Sequence, residues 1–245
     1  MMADIAARLR KALWLTAFAS VTAFPYIFYQ TMGPWAEPIA RDWGVKGESG
    51  TIFSFQFSLL IAVGFLCCVI GFFLSERYNL PGLGDIRETN RAVYRWGGWA
   101  AIGGLIVGWV LHDRTFYRVV SSGLGIELYP RSVLWSAALV LYTSIMKEII
   151  FRFGMLTLMA GLFRGRFNYL AVILTTVFAA AFSLREFQFV DYPKLDIYIF
   201  LAVAWSLVSN AVSGVVFIKK GLWPTIAIRA CMDSRYIVFP LLGMV

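Results

Sequence analysis

The stretch 51–75, TIFSFQFSLLIAVGFLCCVIGFFLS, holds no charged side chain. A bilayer's hydrocarbon core is about 30 Å thick, and roughly 20 apolar residues in a helix cross it. A helix also satisfies its backbone N–H and C=O groups internally, as lipid demands. This segment therefore reads as a membrane span. Working outward from it, six further apolar stretches lie at 13–31, 96–112, 133–162, 168–184, 196–218 and 222–243, separated by Gly, Pro and charged residues suited to turns. The first contains Pro25 and the last Pro224 and Pro240, while 133–162 is long enough for two helical pieces or one tilted helix. Together they predict an all-α fold: a polytopic transmembrane helix bundle of about seven spans, forming a single membrane domain over 1–245.

Composition agrees. Of the 245 residues 60% are hydrophobic and 15% charged, with mean hydropathy +0.72, against about 25% charged in soluble domains. The net charge of +8 does not imply nucleic acid, because Lys and Arg are scattered between apolar runs and form no stripe. They read as topology signals and contacts to lipid headgroups. Arg8, Arg10 and Lys11 precede an apolar run from Leu13 to Tyr29 that is longer than a signal peptide's core, so a retained first span is expected. Basic residues are denser at the N-terminus and after spans two, four and six (Arg77, Arg87, Arg91, Arg95, Arg164, Arg166, Lys219, Lys220) than on the other side (Arg41, Lys46, Arg114, Arg118, Arg131, Arg185, Lys194). The positive-inside rule then places the N-terminus in the cytoplasm, in a membrane of the bacterial inner type.

Cys67, Cys68 and Cys231 sit in apolar runs and provide no disulfide framework. In GWAAIGGLIVGW, 98–109, Gly98, Gly103, Gly104 and Gly108 predict close helix approach. No internal repeat is visible.

Ionisable groups within spans are costly and mark candidate sites. In SIMKEIIFRFGML, 144–156, Lys147, Glu148 and Arg152 share a helix, and Glu148 and Arg152 are spaced to meet on one face. Ser183, Arg185 and Glu186 end the fifth stretch and read as surface anchors. In GLWPTIAIRACMDSRY, 221–236, Arg229 and Asp233 can pair one turn apart in an otherwise apolar segment that also holds Ser234 and Arg235.

These residues resemble the CAAX prenyl protease and bacteriocin-processing (CPBP, or abortive-infection) family of intramembrane metalloproteases. That family carries E-E-x-x-x-R in one span, F-x-x-x-H in the next, and H-x-x-x-N/D after a G-L-W-P-like entry. Here stand Lys147-Glu148-Ile-Ile-Phe-Arg152, Phe178-Ala-Ala-Ala-Phe182, and Gly221-Leu222-Trp223-Pro224 leading to Arg229-Ala-Cys-Met-Asp233. The resemblance covers about 130–245. It implies a cavity in which the first Glu, both His and the final Asn or Asp bind a metal or activate water for peptide cleavage. The matching positions are Lys147, Phe182, Arg229 and Asp233, of which only Asp233 suits that task.

Catalytic zinc commonly takes three ligands from His, carboxylate and Cys. The sole histidine, His112, lies outside the motifs, and Cys231 and Asp233 are two apart and face different ways on a helix. Lys147 and Arg229 would repel a cation. No metal and no cofactor are expected. Glu148 does not simply replace the lost Glu, since one residue along a helix turns the side chain by about 100°. Lys147, Glu148, Arg229 and Asp233 are instead expected to form an ion-pair network if the helices converge, with Phe182 filling a ligand's space.

The sequence thus predicts a catalytically inactive member of the family, acting as a structural, assembly or regulatory subunit of a membrane complex. Membrane lipids and a membrane-protein partner are expected, with a cavity lined by Met, Phe and Tyr suited to lipid, prenyl or transmembrane-helix ligands. Nucleic acid is not. The enzyme alternative is an intramembrane endopeptidase using Glu148 and Asp233 as carboxylates sharing a proton. A transporter or channel is weaker, because paired helix breaks and inverted symmetry are absent.

Overall fold

The computed structural model describes residues 2–33, 49–113, 132–185 and 197–242. Every regular element among them is helical: α1 (Met2–Met32), α2 (Ser49–Leu74), a short turn at Glu76–Tyr78, α3 (86–113), α4 (Val133–Leu162), α5 (Asn168–Arg185), α6 (Ile197–Lys220), α7 (Leu222–Asp233) and α8 (Arg235–Leu241). Four helical stretches are long and apolar enough to cross a membrane, Asp4–Met32, Ser49–Leu74, Val133–Leu162 and Phe200–Lys220, and Asn168–Phe182 is a shorter apolar one. Each of the seven apolar stretches therefore falls on helix, with α7 and α8 sharing the last and meeting at Ser234. Glu186, Arg41, Lys46, Arg114, Arg118, Arg131 and Lys194 lie outside the described residues, as do the side chains of His112, Ser183 and Arg185.

Helix α4 is central. Thr143 to Met146, Glu148, Ile149, Arg152, Phe153, Leu156, Thr157 and Ala160 are all buried, so protein surrounds this helix on most sides. Its tightest neighbour is α2. A Cβ at Gly71 would fall 2.3 Å from the Phe153 ring, and one at Gly154 would fall 2.4 Å from Cys67 Cβ. Small residues on both helices thus let the backbones close, which in lipid supplies van der Waals contact that hydrophobicity cannot. Along α4 the bonding opens from i→i+4 to i→i+5 over Tyr142–Met146 and Ile149–Leu156. Such wide turns are rare and recur at functional sites, because each added residue re-aims the side chains that follow. Here they flank Lys147 and Glu148.

The start of α7 is fixed by a backbone clasp. Leu222 N–H donates to Gly82 O at 3.0 Å and Trp223 N–H to Leu83 O at 2.9 Å, satisfying two amides that a helix start otherwise leaves without partners. Gly84 has φ +75° and Gly221 φ +93°, and a Cβ on Gly84 would lie 2.2 Å from Lys220 O. Both positions require glycine. Around the clasp, Lys220 meets Glu88 at 2.7 Å and Arg8 meets Glu76 at 2.7 Å. Gly165 lies against Tyr78. The start of α1 and the 75–88, 163–167 and 219–223 segments therefore gather at one end of the bundle.

The glycines of α3 divide. A Cβ at Gly104 would come 2.0 Å from Met232 O, and at Gly108 3.0 Å from Trp205 and 3.2 Å from Arg235 Nε, whereas Gly98 and Gly103 meet nothing within 4 Å. Only the first pair carries the close packing that the sequence suggested for all four, and it backs α6 and the α7–α8 junction. Gly104→Ala is accordingly expected to lower stability by about 1–3 kcal/mol through overpacking, whereas Gly98→Ala stays within about 0.5 kcal/mol; thermal unfolding of the two variants in one detergent compares them. The Lys220 ammonium, through its hydrogen bond and charge, holds the Glu88 carboxyl below the ordinary 4.5. A depressed carboxyl stabilises the fold above its unfolded pKa, and that contribution is lost as pH falls through the lower folded value. Melting curves against pH should show Lys220→Gln less stable than wild type at neutral pH and equal to it in acid below that value.

Candidate functional site

A cavity of about 90 Å³ lies among α4, α5, α6 and the α7–α8 junction. Thr143, Lys147, Glu148 and Phe151 face it from α4, Ala179 and Phe182 from α5, and Trp205, Ser206, Ser209 and Asn210 from α6. Arg229, Arg235 and Tyr236 close it. The motif residues picked out in three separate stretches of sequence therefore converge, with Lys147, Glu148, Phe182 and Arg229 on its wall.

Two carboxylates anchor the charges. Asp233, 1% exposed, accepts from Arg229 Nε at 2.9 Å through Oδ2 and from Arg235 Nη1 at 3.1 Å through Oδ1. Arg235 also donates to Met232 O at 2.9 Å and to the Tyr236 hydroxyl at 2.6 Å, and its guanidinium lies 5.7 Å from the Trp205 ring centre. Glu148, 3% exposed, pairs with Arg152 Nε at 3.3 Å. Arg152 in turn donates through Nη2 to Asn210 O at 3.0 Å and to Asn210 Oδ1 at 2.5 Å. Glu148 and Arg229 lie close enough to interact electrostatically, so the two pairs form one centre. Lys147 forms no ion pair among the described residues and sets its ammonium 5.7 Å from the Tyr142 ring centre. The four-membered network expected from sequence is replaced by five residues in two sets, Glu148 with Arg152 and Asp233 with Arg229 and Arg235, and Lys147 stands apart. Phe182 is 46% exposed and packs edge-on against Phe151 at 6.1 Å, walling the cavity on the α5 side.

Arg235, Asn210 and the serines of α6 were not picked out as site residues. Their signal was in the sequence: Ser206, Ser209, Asn210 and Ser213 recur at i, i+3, i+4 and i+7 in an apolar span, which draws one polar stripe down a helix face. All four are buried.

The donor set does not fit a metal. Of the positions where the resembling family keeps ligands, Lys147 and Arg229 are cations and Phe182 has no donor atom. Both oxygens of Asp233 are engaged by guanidinium groups. Among the described residues, no three His, Cys, Asp or Glu side chains gather as a metal site would need. The arrangement is suited to holding charges in place. Asp233→Ala leaves Arg229 and Arg235 without their buried carboxylate and should cost about 3–5 kcal/mol; Lys147→Met should change stability far less, because it breaks no ion pair. Thermal unfolding of the two purified variants ranks them.

Comparison with curated proteins gave no match, and neither did comparison with solved structures. A protein-family model did match. The matched residues, 129–235, span α4 to α7 and include both ion pairs and Arg235, the second partner of Asp233. The apolar helices mark an integral membrane protein, and its residues 129–235 match the model of the family described as Type II CAAX prenyl endopeptidase Rce1-like.

Proposed function

We propose that the chain is a catalytically inactive relative of the membrane CAAX proteases that acts by binding, as a structural, assembly or regulatory subunit of a membrane complex. One observation carries this reading: Glu148 and Asp233, the two carboxylates on which the endopeptidase alternative depends, are each paired with arginine. A carboxylate dyad that activates water needs both groups within reach of one water and sharing a proton. Here each carboxylate is instead engaged by a guanidinium group, and the two belong to separate ion pairs. The N-terminus is taken as cytoplasmic, supported by the basic residues near the bundle end where Arg8, Arg77, Arg164 and Lys220 lie.

Purification in mild detergent from the native membrane, with protein identification, metal analysis and incubation with a prenylated CAAX peptide, tests the proposal. A stoichiometric membrane-protein partner, no zinc and no cleavage are the expected results. Cleavage abolished by both Glu148→Gln and Asp233→Asn would instead establish the endopeptidase.

A further inference from the structure

We infer that the exposed side of α3 is a docking surface for anionic phospholipid, with the headgroup on the first turns of the helix and an acyl chain further along. This surface lies outside the cavity and does not depend on the non-catalytic reading. Arg87, Arg91 and Arg95 follow one another at four-residue intervals, which draws a basic stripe along a helix, and all three are exposed. Lys219 and Lys220, also exposed, end α6 beside it, because Lys220 and Arg91 reach the same Glu88 carboxylate at 2.7 and 3.3 Å. Five cations thus stand against two acids, and both acids are engaged. Glu88 serves two cations, and Asp85 caps the helix by accepting from the Arg87 backbone N–H at 2.9 Å. Arg87, Arg95 and Lys219 form no ion pair among the described residues. Clusters of basic residues beside a membrane span attract anionic headgroups.

The exposed side chains change character along α3. Tyr94, Trp96 and Trp99 are 92%, 63% and 71% exposed, and beyond them Ile102, Ile106 and Val110 are exposed as well. Charged, aromatic and aliphatic side chains in that order repeat the layers of a leaflet: headgroups, interface and hydrocarbon. At 1.5 Å per residue, about 16 Å separate Arg95 from Ile106, roughly half of a 30 Å hydrocarbon core. A zwitterionic headgroup brings its own cation to the stripe, whereas an anionic one brings net negative charge. An acidic protein segment would answer the arginines alone. The rings and aliphatic side chains that continue from them suit a headgroup joined to an acyl chain.

The full chain in neutral detergent is melted with increasing phosphatidylglycerol and, separately, with phosphatidylcholine of the same acyl chains. The expected result is a melting temperature raised saturably by phosphatidylglycerol and not by phosphatidylcholine, with the response weakened by salt. The double variant Arg87→Gln/Arg95→Gln removes two cations that make no ion pair. It should raise the half-maximal phosphatidylglycerol concentration roughly 30-fold and leave the lipid-free melt unchanged. Arg87→Lys/Arg95→Lys keeps the charge and the response. Arg10→Gln/Lys11→Gln, which removes the same charge from α1 at the same end of the bundle, keeps the response too. Equal responses to the two lipids overturn the proposal and leave the stripe to an acidic segment of a protein partner. An equal loss in the α1 variant also overturns it, because the attraction then belongs to the whole basic end of the bundle. Neither result bears on whether the cavity is catalytic.

Discussion

Arginine does not shed its proton to enter an apolar interior, so it is buried as a cation. Arg152, 0% exposed, and Arg235, 1% exposed, must therefore be neutralised where they stand. Taking such an ion out of water costs several kcal/mol even after relaxation, and carboxylates at the right depth offset it. Glu148 lies one turn before Arg152 on α4, whereas Asp233 sits between Arg229 and Arg235 at the end of α7. Both pairs are one turn apart on single helices, so each helix carries its charge into the interior already paired.

The rest of the bundle holds those depths. The 82–83 carbonyls fix the first turn of α7, and the two left-handed glycines permit that contact. Gly104 lets α3 press on Met232, the residue just before Asp233. On α4, the glycine and cysteine contacts with α2 seal the side away from the cavity. Asn210 ties α6 to α4 through Arg152. Each device controls the position of a charge more than it adds to the total stability, in keeping with buried ion pairs serving specificity when they contribute little net energy.

Much of this was legible in the sequence, and the limits were physical. Apolar run lengths placed all seven helical stretches, because lipid imposes one length scale on every span. Arg229 and Asp233 were legible as a pair because both lie on one helix four residues apart. Glu148 with Arg152 followed for the same reason. Partners on different helices were not readable: the choice of Arg235 over Lys147 as a second cation for the network depends on side-chain direction at the α7–α8 junction, which spacing does not encode. Gly98 and Gly104 look alike in the sequence, yet only the second faces a neighbour. The wide turns of α4 were likewise silent, since a period of 3.6 residues was assumed where the backbone bonds i→i+5.

The substitutions at the family's active-site positions make sense only together. Where the resembling proteases carry a carboxylate and a histidine, this chain has Lys147 and Arg229, whose positive charges oppose metal binding. Phe182 removes a third donor and adds an apolar wall. Asp233 keeps a carboxylate, with both oxygens engaged by guanidinium groups. What the centre does well is hold fixed positive charge next to a small polar space, and that property is the one a binding protein uses.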